Sequence, residues 1–309
     1  MFSPITLDAL RTLDAIDRKQ SFAAAADELF RVPSAVSYTV NKLEEDLGVQ
    51  IFDRSRRKAE LTPIGRMILQ QGRQILLATE ELTAMARLAA DGWEVELKIA
   101  VDSVIDTEFI YPLLEQFQQL QPRTEVRLLE EVLGGSWDAL SSERCDLVIG
   151  AEGEAPHQGF DLMLLGNAVF EFAVAAEHPL TQLTEPLPLE LMAEYPTVVV
   201  ADSSRNLPVR STGLLDGRSR LIVPSMAQKI AMQKQGLGVG YLPLHRIQAE
   251  IASGELHLLT LAETRKPLPI SVAWRKGAAG KALLWFIEQL RSWRLDPVEG
   301  MICSQGVPD

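Results

Sequence analysis

The stretch SFAAAADELFRVPSAVSYTVNKLEEDLG, residues 21–48, decides the reading of this chain. Ser21 offers its hydroxyl as a helix N-cap, and the alanine run behind it makes a short helix of strong formers whose small side chains permit close packing. Pro33 suits a first helical turn, where its missing N–H would have no partner anyway, and Gly48 can end the helix that Pro33 opens. Upstream, Leu7, Leu10, Leu13 and Ile16 recur at helical spacing and predict a helix over 6–18. Two short helices, a tight turn and a longer third helix make a helix-turn-helix. On the third helix Val36, Val40, Leu43 and Leu47 share one face and are expected in the core. Ser34, Ser37, Tyr38, Asn41 and Lys42 face outward. Short polar side chains, an aromatic ring and a cation suit insertion into a major groove, although any amphipathic surface helix also has a polar outer face.

The residues that follow favour the first of those readings. Two short strands are expected over 50–52 and 60–62, flanking RSRRK at 54–58. Arg54, Arg56, Arg57 and Lys58 place four cations in five residues, a local phosphate-seeking patch. Such a wing would lie over the neighbouring backbone or minor groove while the helix reads bases.

Composition limits the alternatives. The 309 residues, 47% hydrophobic and 23% charged, amount to roughly two globular domains and exclude disordered or fibrous classes. A net charge of −12 argues against a protein that coats nucleic acid through bulk positive charge. The first 62 residues are nearly balanced, with nine Lys and Arg against ten Asp and Glu, so the acidity belongs to the rest. The best apolar run, 160–176, is broken by Asp161, Asn167 and Glu171, so no membrane partner is expected. The opening MFSPITLDAL has no secretion-signal pattern, which predicts a cytoplasmic protein. Two cysteines, Cys145 and Cys303, support neither a disulfide framework nor a structural zinc site.

Ser21-Phe22, Ala24 to Ala26, Leu29, Ala35-Val36-Ser37, Leu43-Glu44, Leu47-Gly48, Ile51-Phe52, Arg54, Leu61-Thr62 and Gly65 resemble the N-terminal signature of LysR-type transcriptional regulators. The resemblance implies a winged helix-turn-helix, a linker helix and an effector domain, with double-stranded DNA and a small-molecule effector as partners. Ser34, Ser37, Tyr38, Thr39 and Lys42 match DNA-contacting positions, with Ser21, Arg31, Pro33 and Asn41 added as candidates beside them. Where the family usually has Ser or Thr followed by Gln, this chain has Val32-Pro33, so neither the hydroxyl cap nor a common base-reading amide is present. Three segments are expected: 1–62 for DNA, 63–92 as linker and 93–309 as the effector domain.

From Pro63 no proline or strong break appears before Asp91-Gly92, and Ile68, Ile75, Leu82 and Ala89 recur every seven residues beside Ile64, Ala78 and Met85. A narrow heptad stripe predicts a two-helix contact between chains, hence a homodimer. The family resemblance adds a tetramer. Gly65 and Gly72 weaken this helix and Gln71 interrupts the stripe.

Beyond Trp93, strands are expected over 96–101, 125–132, 146–150, 170–176, 197–201, 220–223, 239–242 and 270–274. Helices are expected over 107–121, 135–143, 225–235 and 280–293. The alternation predicts a mostly parallel sheet with helices on both faces. Two such Rossmann-like α/β lobes resemble type II periplasmic solute-binding proteins, with the ligand between them beyond the carboxyl ends of strands. That rule nominates Asp102, Ser103, Val104, Gly135, Ser136, Trp137, Gly150, Glu152, Asp202, Ser203, Arg205, Ser225 and Met226. Ser103, Ser136 and Ser225 serve equally as helix caps, and Trp137 as a ligand wall or as core. Arg205 suits a carboxylate, Asp102 and Asp202 an amine; both remain open.

An enzyme is the rival class, since paired α/β lobes also build transferases. No G-x-S-x-G, HExxH, Walker loop or CxxC occurs, and the four histidines lack metal-ligand spacing. Gly236-Leu237-Gly238-Val239-Gly240 resembles a nucleotide loop but enters a strand, which makes it a turn. Cys145 has only Arg144 nearby to favour a thiolate. Neither catalysis, cofactor nor metal is expected.

Overall fold

A computed structural model describes residues 4–53, 59–121, 123–210 and 219–303. The chain divides into two compact units, Met1–Ala90 and Asp91–Asp309. In the first, α1 (Leu7–Lys19) starts on Thr6, whose hydroxyl accepts from the Ala9 N–H at 3.1 Å. Ser21 caps α2 (Phe22–Glu28) in the same way, and Ala25 and Ala26 are fully buried where the helices meet. Helix α3 (Pro33–Leu47) has no side-chain cap at Val32 and stops on Gly48 at φ +67. Val36, Val40 and Leu43 are buried, and Leu47 packs half-buried against the same core. Two two-residue strands, β1 (Phe52–Asp53) and β2 (Glu60–Leu61), pair antiparallel. The buried Glu44 carboxylate accepts the Ile51 and Phe52 N–H groups at 2.7 and 3.1 Å, tying α3 to the first strand. Arg54, Arg56, Arg57 and Lys58 lie outside the described residues.

Helix α4 (Pro63–Ala90) runs unbroken for 28 residues, about 42 Å at 1.5 Å per residue. Its two early glycines are packing sites. A Cβ at Gly65 would stand 2.2 Å from the Ile51 carbonyl oxygen, and one at Gly72 would stand 2.6 Å from Leu10 Cδ2. Gly65 therefore lets the helix lie directly on the backbone leading into β1. Arg73 adds ion pairs to Asp14 and Asp17 on α1. Further along, Ile75, Leu82 and Met85 are all exposed.

The second unit begins with β3 (Glu96–Asp102), α5 (Tyr111–Leu120), β4 (Glu125–Glu131), α6 (Gly134–Ser141) and β5 (Leu147–Glu152). Strand β6 (Phe160–Ala168) belongs to the same sheet, but β7 (Phe170–Ala175), one residue later, belongs to another. The second lobe continues through β8 (Pro196–Val200), β9 (Ser219–Val223), α7 (Met226–Lys234), β10 (Gly240–Pro243), α8 (Gln248–Ala252) and β11 (Leu256–Leu258). The chain returns through β12 (Leu268–Arg275) and finishes with α9 (Lys281–Leu290), β13 (Trp293–Asp296) and β14 (Gly300–Cys303).

The large sheet has the order β14-β13-β6-β12-β5-β3-β4; the other lobe holds β10-β7-β11 and β8-β9, joined by a Thr197–Val239 bridge. The expected mostly parallel sheet is instead mixed. Strand β3 runs parallel to β4 and β5, but the returning β12 lies antiparallel between β5 and β6, and β7 is antiparallel to both neighbours. The apolar run 160–176 had hidden β6, because it is two strands in two sheets with the switch at Val169. Helix α9 also stops at Leu290, short of Trp293, which begins β13. Among the described residues no helix is long and apolar enough to cross a membrane.

Replacing Gly65 by Ala should destabilise the N-terminal unit by about 1–3 kcal/mol despite better helix propensity, because a backbone carbonyl blocks the methyl. Gly72→Ala meets the movable end of a leucine and should be milder. Urea unfolding of both variants checks this; equal effects would contradict the packing account.

Candidate functional site

The exposed end of α3 and its approach form one candidate surface. Tyr38 is 68% exposed, Pro33, Ser34, Asn41 and Lys42 are exposed, and Ser37 and Thr39 are half-buried. The Thr39 hydroxyl donates to the Ala35 carbonyl at 3.0 Å. Ser21 is occupied as the α2 cap. Both cations here are paired: Arg31 grips Asp8 through two bonds of 2.6 and 2.9 Å, and Lys42 meets Asp46 at 2.7 Å. Exposed pairs of this kind contribute little to stability and can be exchanged for another anion.

Phe30 escaped the sequence reading. Its side chain is 98% exposed and its φ is +54, a left-handed conformation that a bulky residue adopts only at a conformational cost. Val32, two residues on, is 63% exposed. Two large apolar side chains thus stand in water beside the start of α3, out of register with every buried stripe; that mismatch was the available signal.

The second candidate is a cleft between the two lobes of the C-terminal unit, a cavity of about 370 Å³. Of the nominated residues, Asp102, Ser103, Val104, Glu152, Asp202 and Met226 line it. Asp102 and Glu152 end β3 and β5, as expected for ligands that meet the carboxyl ends of strands. Asp102 accepts from the Val104 N–H at 3.0 Å and from the Ser136 hydroxyl at 2.7 Å. Its carboxyl is pushed well above the usual range by burial, with the neighbouring Glu152 acting in the same direction. Glu152 is itself pushed up to about 7, again mainly by burial, with Arg265 and Arg210 pulling the other way.

Several nominees stand behind the lining. Trp137 is fully buried and donates its indole N–H to the Glu152 carbonyl at 2.9 Å, so it is core that also orients a cleft strand. Gly150, at φ +98, lets β5 approach Asp102, whose Cβ would lie 2.9 Å from an added methyl. Gly135 leaves room for Ser203, whose oxygen a Cβ would meet at 1.8 Å. That hydroxyl donates to the buried Glu131 at 2.5 Å and accepts from the Val132 N–H at 2.8 Å. Ser225 caps α7. Arg205 is exposed and outside the lining; the cations that line the cleft are Arg210, Arg220, Lys229 and Arg265. Phe170 and Tyr241 also line it, and the Arg265 guanidinium lies 4.4 and 5.7 Å from their ring centres. Lys229 and Arg265 were missed because nothing local marks them: one is a polar position inside an amphipathic helix, the other sits in a loop.

Elsewhere the chemistry is quiet. Burial pushes the Cys145 thiol up to about 12, which leaves no thiolate at neutral pH. His178 caps a short helical turn through Nδ1. In 236–240, Gly236 ends the α7 region at φ +68 and Gly238 packs on the Pro196 carbonyl, a turn with no phosphate cradle.

Residues 7–66 match the model described as bacterial regulatory helix-turn-helix protein, lysR family, and residues 90–294 match the LysR substrate binding domain. The chain is 38% identical over 290 residues to the probable HTH-type transcriptional regulator YhaJ of Escherichia coli (strain K12), covering 93% of this chain and 96% of that one. It is 34% identical over 302 residues to the HTH-type transcriptional regulator PunR of the same strain, covering 94% and 96%. Among solved structures, an OxyR cysteine mutant from Corynebacterium glutamicum shares the fold at TM-score 0.60 and 20% identity, covering 93% of this chain and 91% of that one. A probable transcriptional regulator, PA0477 from Pseudomonas aeruginosa, does so at TM-score 0.58 and 21% identity, covering 93% and 97%.

The raised Glu152 carboxyl has a stability consequence. Between its ordinary value of 4.5 and about 7 the folded chain holds a proton that the unfolded chain has released, so stability falls as pH rises through that window. Glu152→Gln should flatten the fall between pH 5 and 7 and melt higher than the parent at pH 8. Thermal melts across that range test it; an unchanged profile would contradict the assigned burial effect.

Proposed function

The chain belongs to the LysR family of bacterial regulators, DNA-binding proteins with a helix-turn-helix and a substrate-binding domain, and from that premise we propose which of its residues do each task. The N-terminal half of α3 enters a major groove, with Ser34, Ser37, Tyr38 and Asn41 toward base edges. Ser21, Arg31, Pro33, Thr39 and Lys42 meet the flanking backbone, and Arg54, Arg56, Arg57 and Lys58 supply phosphate contacts from the wing. Arg31 and Lys42 exchange Asp8 and Asp46 for phosphate. The observation that carries this reading is the exposure of Phe30 and Tyr38 at one helix end: neither ring contributes to the core, and Phe30 is strained as well. Apolar contact with thymine methyls gives Phe30 a role there.

The cleft receives the effector. Asp102, Ser103, Val104, Glu152, Asp202 and Met226 contact it with Lys229, Arg265 and Tyr241, while Gly135, Ser136, Trp137, Gly150, Ser203 and Ser225 shape the walls. Arg205 is left to the rim. The segments 1–62, 63–92 and 93–309 act as reader, linker and sensor. Binding shifts the population between lobe arrangements and, in an oligomer, the spacing of the readers. The exposed stripe of Ile75, Leu82 and Met85 on α4 supplies a dimer seam that sets two readers on two half-sites. A tetramer is the assembly proposed for the cytoplasm, where the duplex lies.

Arg56→Ala with Arg57→Ala should weaken binding to all duplexes and lower the salt slope by about 2, whereas Tyr38→Ala or Phe30→Ser should change sequence preference by about 1–3 kcal/mol at individual positions. Competition binding with randomised duplexes reads both. If neither pair changes binding, the docking arrangement is wrong. Leu82→Glu should shift the full chain toward monomer in sedimentation velocity; an unchanged mass would remove α4 as the seam.

A further inference from the structure

The cleft contains an ammonium group with nothing to neutralise it. Lys229, in the first turns of α7, is 8% exposed and lines the cavity. Its Nζ has no hydrogen-bond or ion-pair partner among the described residues. No carboxylate acts on it, and the charge that does, Arg265, has the same sign. The ammonium lies against bare backbone: a Cβ at Gly240 would sit 3.4 Å from both Cε and Nζ. Arg265 faces the same space, stacked on Phe170; among the described residues it makes no ion pair, and the Glu152 carboxyl acts on it only from farther off. A cation removed from water without a partner is costly to keep charged, and an anionic ligand at this place would offset that cost.

Two of the three acids of the cleft are already engaged, and burial holds the third, Glu152, toward its neutral form. Asp202 accepts from the Ser204 and Arg210 N–H groups, and Asp102 from Val104 and Ser136. We propose that the cleft takes a small organic oxyanion, a carboxylate or phosphate monoester, with its charged head between Lys229 and Arg265 and its body along Phe170 and Tyr241. This rests on the reading of the cleft as the effector site. An amine would place a third positive charge beside Lys229 and Arg265, where the first of these has no carboxylate acting on it.

Protonation points the same way. Burial depresses the Lys229 ammonium to about 7, while Glu152 is raised to about 7. The other charged or titratable groups lining the cleft are Asp102, Asp202, Arg210, Arg220, Tyr241 and Arg265. As pH falls through 7 Lys229 gains its charge and Glu152 loses its own, so both changes favour an anion. Affinity should therefore be about tenfold or more higher at pH 6 than at pH 8.

The test uses the full chain with sodium benzoate, phenyl phosphate and glutarate against benzamide and benzylamine, at matched ionic strength and pH 6.5, read as the melting temperature of the C-terminal unit. At least one anion should raise it by about 2 °C or more, and neither benzamide nor benzylamine should match it. Lys229→Met should raise the melting temperature of the unliganded chain, by relieving an unpaired charge, while weakening anion binding about tenfold or more. Arg265→Gln provides a second variant with the same loss. Silence from all three anions, a preference for benzylamine, an anion response intact in both variants, or a lower unliganded melting temperature for Lys229→Met would each overturn the proposal. A benzylamine response abolished by Asp102→Asn would overturn the anion while leaving the cleft a receptor. A ligand response untouched by every cleft variant would remove the effector-site reading too.

Discussion

The change of sheet at Val169 is the constraint from which the sensor half follows. Strand β6 ends in one sheet and β7 begins in another, so the chain must cross once more to finish, and β12 makes that return. Because β12 slots antiparallel between β5 and β6, the ends of β3 and β5 stay open toward the second lobe. Backbone polarity thus delivers Asp102 and Glu152 to the same opening, and α7 and the loop after β11 deliver Lys229 and Arg265 to its other side. The cleft is a consequence of connectivity, and its charges are what this chain has placed there.

How much of this could be read from residues alone depended on the range of the interactions concerned. The helix-turn-helix was legible because caps, alanines and helical apolar spacing act within a few residues: Ser21, Pro33 and Gly48 stand where a cap, a first turn and a stop require them. The ends of β3 and β5 were legible because a general rule links strand ends to ligands. Strand β6 was not, since an apolar run carries no mark of a sheet change. Lys229 and Arg265 were not, since only long-range packing brings a helix residue and a loop residue together. Gly65 was read with the wrong sign: local propensity marks a mid-helix glycine as a weakness, while the nearby Ile51 carbonyl makes it a condition of packing.

Several costly features of the chain stand at its two candidate surfaces. Of the four non-glycine residues at positive φ among the described residues, Phe30 at +54 stands beside the start of α3 and Leu133 at +53 lines the cleft, while Gln20 and Glu143 hold theirs where α1 ends and beyond α6. Asp102, Glu152 and Lys229 are removed from water at the cleft with ionisation shifted toward neutrality. A fold selected for stability alone would replace each of them. Their retention in these places, while the Trp137 indole and the Glu44 carboxylate find partners, fits a molecule that gives up stability where something else must bind.

Overall negative charge is compatible with this arrangement because charge is felt locally. At physiological ionic strength exposed charges are screened over about 8 Å, so the groove contact proposed for α3 answers to the charges near it more than to the total of the chain. Within the first 62 residues the balance is nearly even, and on the candidate surface Arg31 and Lys42 are held by Asp8 and Asp46. In the proposed docking a phosphate offers each cation a partner with the same single negative charge, so one exposed ion pair is replaced by another and a carboxylate is freed to solvent. The four cations in residues 54–58 raise the local density of positive charge above that of any other five-residue stretch in the chain, and the proposed docking draws its net attraction from them. Affinity would come from that cluster and selectivity from α3, which is why a reader of this kind can be built into an acidic protein.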